Sequence, residues 1–537
     1  MKRDGKDLPS SSALTLLFAA SAASLATGCG GGSDKLQTAV QAAAVNCSSL
    51  SASAIADTTF TLAKDVPAGD FVTSAGSTIK DLPAFCRVAA TLKPTSDSNI
   101  KVELWLPASW NGKYLGTGNG GLGGTIQYDA MADGLRRGFA VANTDLGTSG
   151  GVASMVGHPE TIVDFGYRAT HLMTALSKTL VKQFYSTGPS YSYWFGCSTG
   201  GGQGMHEAQQ YPKDYDGIVV GAPGAARVPA HLSFQWAWAA TQQDQTTNLT
   251  VSKRKLWADY VMSACDELDG LKDGVIGRPD KCKVDPVVLQ CKGADAPNCL
   301  TAGQVSSLRK IYAGPTNPVT GALVSYGYLP GTELDFSTAA TTPTSAPPFP
   351  FPFEWVWGTN WDWRSFNWAS DVDVMHNTLD YAVDASNPDL SAFAARGGKL
   401  IEFQGLADGI QVPGAAIAYR QNVEKVMPGQ SDQFMKLFAA PGMDHCGGGV
   451  GPNVFGNLNP GFPTAPDDPT KDILATAQQW VEKGRVPNQI IATKYAGNLP
   501  TGKVERTMPL CPWPKVSKYN GTGDVNSADN FSCVDPT

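Results

Sequence analysis

The 537-residue chain is 42% hydrophobic and 17% charged, proportions of a globular protein, and is long enough for one large domain with an insertion or for two to four modules. Its formal net charge of -7, with no run of Lys or Arg, argues against nucleic acid or an anionic membrane surface as a partner.

Residues 1–28 have the organisation of a signal peptide. Lys2, Arg3 and Lys6 precede an apolar run from Ala13 to Ala26 that is too short to span a membrane, and small residues follow. Ala26-Thr27-Gly28-Cys29 resembles a bacterial lipoprotein box, with alanine at the usual leucine position and with Asp4 and Asp7 diluting the basic leader. Lipidation of Cys29 is the expectation, with simple cleavage as the alternative; either way the chain is exported, to the outer membrane as a lipoprotein or to the periplasm or medium. Residues 29–46 read as a small-residue tether.

Folded chain is expected from Cys47, with residues 47–226 forming the first part of an α/β core. Ile100 to Pro107 alternates polar and apolar residues as a half-buried strand does. Tyr114 to Gly124 runs from a strand into a glycine-dense loop, and Gly138 to Asp145 reads as a buried strand. Tyr167 to Tyr185 has helical spacing.

The aromatic run Tyr193-Trp194-Phe195 then enters Gly196-Cys197-Ser198-Thr199-Gly200, which matches G-x-S-x-G between a predicted strand and a predicted helix. That context makes Ser198 the candidate nucleophile of a nucleophile elbow, a sharp turn that exposes a serine hydroxyl; the alternative is an ordinary Gly/Ser loop. In such a fold one oxyanion donor is the N–H after the nucleophile and the other comes from a loop after an early strand, which nominates Thr199 and Gly120. The glycine loop could instead be a surface turn or a phosphate loop, although no Lys-Ser/Thr follows it. Tyr215 to Pro223 supplies the next strand and its exit turn, so strands alternate with helices as a doubly wound sheet requires.

Alternation breaks over residues 227–386, which read as a lid inserted over the sheet. Phe349, Phe351, Phe353, Trp355, Trp357, Trp361, Trp363, Phe366 and Trp368 are either the core of this insertion or the wall of a pocket for a flat substrate. Within it, Asp266, Asp269 and Asp273 lie at close spacing on a glycine-turned loop whose hard oxygens suit Ca2+, in a structural role. It is not an EF-hand, lacking the closing glutamate, and a solvated acidic turn is the alternative.

Residues 387–537 return to the core. Lys399 to Gly405 is a strand whose exit turn carries Asp408, and Lys436 to Gly447 is a final strand and loop carrying His445. With six histidines in the chain, the order Ser, acid, His excludes His158 and His171 as upstream and His206 as part of the helix just past the serine. Of His231, His376 and His445, only His445 follows a strand in a glycine-rich loop. Asp408 lies between serine and histidine at another strand exit; it could equally be a turn-forming Asp-Gly, and Asp444, adjoining His445, ranks lower.

Setting Cys29 aside leaves ten cysteines with no C-x-x-C pair, so in an oxidising compartment five disulfides are expected in preference to zinc. Cys197 precedes the candidate nucleophile and Cys446 follows the candidate base, so if Ser198 and His445 meet, the two sulfurs approach as well. The alternative is two buried thiols.

The Gly-Cys-Ser-Thr-Gly-Gly elbow, the 215–223 segment, the Asp-x-x-Asp-Gly-x-x-Asp-Gly loop and Pro441-Gly442-Met443-Asp444-His445-Cys446 together resemble the tannase and feruloyl esterase family, over nearly everything from Cys47 to Cys533. The resemblance implies an α/β-hydrolase fold with a large inserted lid. It implies a triad of Ser198, Asp408 and His445, oxyanion donors at Gly120 and Thr199, and calcium held by Asp266, Asp269, Asp273 and the carbonyls of Leu271 and Val275. It also implies bridges Cys47–Cys86, Cys197–Cys446, Cys265–Cys282, Cys291–Cys299 and Cys511–Cys533. In the branch acting on terephthalate half-esters a lid arginine grips the substrate carboxylate; here that segment is shortened, with Arg364 a loose candidate. The expected activity is hydrolysis of small aromatic esters by a serine carboxylesterase, against two rivals: a peptidase of the same fold and a non-catalytic binding lipoprotein.

Overall fold

The computed structural model describes residues 45–335, 347, 349–457 and 461–536, so the leader, Cys29 and most of the tether lie outside the described residues. Among the described residues nine strands form the main sheet. In chain order these are β1 (Thr58–Val66), β2 (Phe85–Leu92), β3 (Ile100–Pro107), β4 (Lys113–Thr117), β5 (Ala140–Thr144), β6 (Tyr191–Cys197), β7 (Gly217–Gly221), β8 (Lys399–Gly405) and β9 (Met435–Ala440). Their spatial order is β1-β2-β3-β5-β4-β6-β7-β8-β9. The first three and the β3–β5 pair run antiparallel, whereas β5, β4, β6, β7, β8 and β9 are parallel neighbours.

Strand alternation sorts side chains onto two cores. From β6, Trp194 points to the face where Ile218, Val220 and Leu400 lie, while Tyr193 and Phe195 point to the other with Val219, Ile401 and Phe403. Helix α2 (Ala169–Tyr185) covers the first face with Leu176, Leu180 and Phe184, and α3 (Thr199–Gln210) adds Met205 and Ala208. On the second face Met131 and Leu135 of α1 (Tyr128–Arg136) pack with Leu474, Ala477 and Trp480 of the helix at Ile473–Lys483. Near-continuous burial along β5 and β7 is what a parallel sheet covered on both faces demands.

Between β7 and β8 the described chain adds no strand to this sheet, and its regular elements are helices joined by long loops. Here α4 (Arg227–Thr241) opens the stretch, and α5 (Val251–Cys265) and α6 (Ala302–Ala313) share a separate core around Trp257, Val261, Leu300 and Leu308. Helix α6 starts where it does because Thr301 and Gln304 form a reciprocal capping box, each side chain accepting the other's backbone N–H. The aromatic-rich segment divides its labour. Phe353 stacks on Trp361 with ring centroids 4.5 Å apart, and Phe366 meets Trp368 at 4.9 Å, a local core, while Phe349 and Phe351 face the cavity described below.

The ten cysteines pair as Cys47–Cys86, Cys197–Cys446, Cys265–Cys282, Cys291–Cys299 and Cys511–Cys533. Among the described residues no helix is long and apolar enough to cross a membrane.

Candidate active site

Ser198 sits between the end of β6 and the start of α3 with φ 60° and ψ -120°, a conformation that L-residues with a side chain avoid. Neighbouring backbone holds it there. The Ser198 N–H donates to the Gly221 carbonyl at 2.9 Å, and its own carbonyl accepts from the N–H groups of Gly202 at 3.0 Å and Gly224 at 2.9 Å. The glycines permit the crossing: a Cβ on Gly118 would lie 2.4 Å from the Gly200 Cα, so neither the glycine loop nor the elbow tolerates a side chain there.

The loop after β4 is stitched to the elbow. Gly200 N–H donates to the Asn119 carbonyl at 2.7 Å, Asn119 N–H to Gln203 Oε1 at 2.9 Å, and Thr199 Oγ1 to the Gly121 carbonyl at 2.6 Å. Thr199 is the first residue of α3, where a backbone N–H has no intrahelical acceptor. Both Thr199 and Gly120 line the same cavity as Ser198.

His445 lies on the loop after β9 and lines that cavity, which has a volume of about 420 Å³. Its Nδ1 is 2.9 Å from Asp408 Oδ2, and Asp408 is 0% exposed. A carboxylate only accepts, so the imidazole donates from Nδ1 and leaves Nε2 free to take a proton. Asp408 is itself pinned: Oδ1 accepts the N–H groups of Ile410 and Gln411, both at 2.8 Å, and Oδ2 accepts Gln404 Nε2 at 3.0 Å. Burial pulls the His445 pKa down, but the charge and hydrogen bond of Asp408, with a further contribution from Asp335, outweigh it and leave the net shift upward. Asp444 does not bond His445; burial, then the carboxylates Asp335 and Asp408, raise it to about 7.

The Cys197–Cys446 bridge joins the two loops with Cα atoms 6.0 Å apart, fixing the residues next to Ser198 and His445 at short range. Cys446 has φ 62°, an unfavourable conformation for an L-residue that the bridge helps to hold. Replacing both cysteines with alanine is expected to lower the melting temperature by several degrees and kcat by about tenfold or more, since the crosslink closes a separation of 249 residues. Unchanged melting and turnover would show that the loops hold their places without it.

No motif announces three residues that complete this environment. Gln404 reaches Asp408 from within β8, and Asp335, from the inserted stretch, accepts the Gly409 N–H at 2.8 Å. Arg227, the first residue of α4, lines the cavity and donates from Nη2 to Thr199 Oγ1 at 3.2 Å. Its sole signal in sequence is its place just past the strand-exit turn at Pro223. Arg364, by contrast, is 60% exposed, pairs with Asp362 at 3.0 Å and is not among the lining residues. Phe234, Phe349 and Phe351 add aromatic surface to the cavity, beside Gln127, Asp129, Ala130, Ile410 and Gln411.

The acidic loop turns back on itself, and its Val275 packs beside Gly442 of the loop that carries His445. Asp266 accepts the N–H groups of Asp273 and Gly274, Asp269 accepts that of Leu271, and Asp273 accepts that of Val275 while its Oδ2 meets Arg506 at 2.8 Å. Burial raises Asp269 to about 6, and the charges of Asp273 and Asp266 add to the rise. A tighter group of ligand-type atoms, within 4.8 Å of one another, occurs at His171, Glu207 and Asp214, but Lys178 brings a positive charge to that place by donating to the Asp214 carbonyl.

Known proteins resemble this chain over most of its length. The family model for tannase and feruloyl esterase matches residues 86–349 and 355–534. An uncharacterized esterase of Xanthomonas campestris pv. campestris is 39% identical, over 93% of this chain and 92% of its own. The crystal structure of feruloyl esterase B from Aspergillus oryzae superimposes with a TM-score of 0.84 at 31% identity, over 91% of this chain and 99% of that one. Tannin acyl hydrolase from Aspergillus niger shares the fold, with a TM-score of 0.72 at 22% identity over 91% of this chain and 94% of its own.

Proposed function

Because the chain belongs to the tannase and feruloyl esterase family and is a carboxylic ester hydrolase with an α/β-hydrolase fold, we propose that it is an exported serine esterase cleaving esters of aromatic acids of the feruloyl or galloyl type. Ser198 attacks the ester carbonyl as His445 Nε2 takes its proton; the Gly120 and Thr199 N–H groups receive the oxyanion; His445 returns the proton to the leaving alcohol; water then resolves the acyl-enzyme. The observation that carries this reading is the His445 imidazole, bonded at Nδ1 to buried Asp408 and sharing a cavity with Ser198. Phe234, Phe349 and Phe351 support an aromatic acyl group, and the name of the Aspergillus oryzae relative supports a feruloyl type. Terephthalate half-esters fit less well, since Arg364 is exposed and already paired.

The test is a side-by-side assay of methyl ferulate, methyl gallate, a terephthalate half-ester and chromogenic peptides. Release from the aromatic methyl esters is expected, and cleavage of peptides alone would overturn the reading. Five disulfides support export. A lipid on Cys29 would place the enzyme on the outer membrane, so Cys29→Ala is expected to shift it into the soluble fraction.

The acidic loop is read as a structural calcium site, with Asp266, Asp269, Asp273 and the Leu271 and Val275 carbonyls as its ligands. Three hard-oxygen carboxylates whose charges oppose one another support a divalent cation, which would neutralise them and tie the loop to the 265–282 bridge. Chelation is expected to lower the melting temperature by several degrees, and Asp269→Asn to abolish that calcium dependence while sparing kcat. A melting temperature indifferent to both calcium and chelator would remove the ion from the account.

A further inference from the structure

A buried cation without a counter-ion is costly, and one beside a nucleophile calls for an explanation. Arg227 is 6% exposed. Its guanidinium carbon lies 5.3 Å from the Phe165 ring centroid, and a Cβ added to Gly224 would sit 3.2 Å from the same carbon, so the group is packed against the turn after β7 whose Gly224 N–H holds the Ser198 carbonyl. Among the described residues no carboxylate pairs with it, and the stretch 336–346 contains no Asp or Glu. Burial draws its pKa down to about 10 with no anion acting to raise it. The field is felt nearby: His206 and His231 are held neutral first by burial and then by the Arg227 charge.

Among the described residues the guanidinium makes one hydrogen bond, and it locates the group's purpose. Nη2 donates to Thr199 Oγ1 at 3.2 Å, and Thr199 Oγ1 donates in turn to the Gly121 carbonyl at 2.6 Å. The relay therefore crosses both segments that carry the oxyanion donors. Building on the esterase reading above, we propose that Arg227 is a positioning residue of the oxyanion site: it locks Thr199 against the glycine loop, and its missing counter-charge is the negative oxygen of the tetrahedral intermediate. A charge unbalanced in the resting enzyme and balanced in the transition state acts on kcat and hardly on ground-state binding. An anchor for a carboxylate on the substrate is the competing use of the same cation, and the two part experimentally.

The experiment compares full-length wild type, Arg227→Met and Arg227→Lys on neutral methyl esters and on a half-ester with a free carboxylate, with phenylboronic acid as a probe that forms an anionic tetrahedral adduct on Ser198. Arg227→Met is expected to lower kcat on the neutral esters roughly ten- to a hundredfold with KM within about twofold, and to weaken phenylboronic acid in parallel. Arg227→Lys, which restores the charge, is expected to recover much of both. Three results would overturn the proposal: unchanged kcat on neutral esters; a loss confined to KM for the half-ester, which makes Arg227 a substrate anchor; or equal damage by Lys and Met with a lowered melting temperature, which makes it structural. If Arg227→Met does not fold, the Lys variant carries the same comparison. A wild type that cleaves no aromatic ester yet binds phenylboronic acid would sink the substrate reading instead, and the Arg227 question is then answered on the boronate alone.

Discussion

Alanine at Ser198 is expected to reduce turnover of aromatic esters by roughly 10^5- to 10^6-fold, with alanine at His445 costing about as much, because the two groups act as one unit and losing either removes the covalent route. The residue at 198 keeps its φ of 60° through hydrogen bonds of the backbone alone, to Gly221, Gly202 and Gly224, so Ser198→Ala should fold and melt like wild type. That separation makes the measurement clean. An organophosphonate should label the wild type once and the variant not at all, while any rate left above that of water would come from Gly120 and Thr199. A variant retaining even a few per cent of kcat would mean that another group delivers the nucleophile.

Some of this site could be read in the sequence because its signals are local. β3 and β8 span Ile100–Pro107 and Lys399–Gly405 as their patterns predict, although β3 is buried at every residue but Lys101 instead of half-buried, because both faces of the sheet are covered there, and the elbow declares itself in five residues between an aromatic strand and a helix. β1 offers far less: along Thr58–Val66 no residue is fully buried, so an edge strand pairing on one side leaves only a faint alternation. What escapes is whatever depends on contacts between distant segments. Gln203 lies in the elbow helix, yet its function is to accept the Asn119 N–H across 84 residues, and Asp335 reaches Gly409 across 74. No composition or spacing rule marks such residues, since their neighbours in the chain are not their neighbours in space. Arg227 escapes for a second reason: an arginine at the start of a helix is unremarkable until burial takes away its water and no carboxylate among the described residues pairs with it.

Asp408→Asn carries the other large expectation, a fall in kcat of about 10^4-fold in a protein that still folds. Oδ1 of Asp408 accepts two backbone N–H groups, from Ile410 and Gln411, and only the amide oxygen of asparagine can take that place. The amide nitrogen must then stand where Oδ2 stood, facing His445 Nδ1 and Gln404 Nε2. It can only donate, so it forces the imidazole proton onto Nε2, the atom that has to be bare to accept from Ser198. The pH profile supplies an independent check. The base works neutral, and in the wild type Asp408 and Asp335 lift the His445 pKa above its ordinary value against the pull of burial, so kcat/KM rises with pH through that raised value. Removing either carboxylate leaves burial less opposed and moves the acid limb to lower pH. Asp335→Asn is the informative partner because its amide oxygen can still accept the Gly409 N–H: it should shift the limb downward while leaving the plateau rate within about tenfold. A limb that moved upward in either variant, or an Asp408→Asn enzyme with more than a tenth of wild-type kcat, would remove Asp408 from its place behind the base.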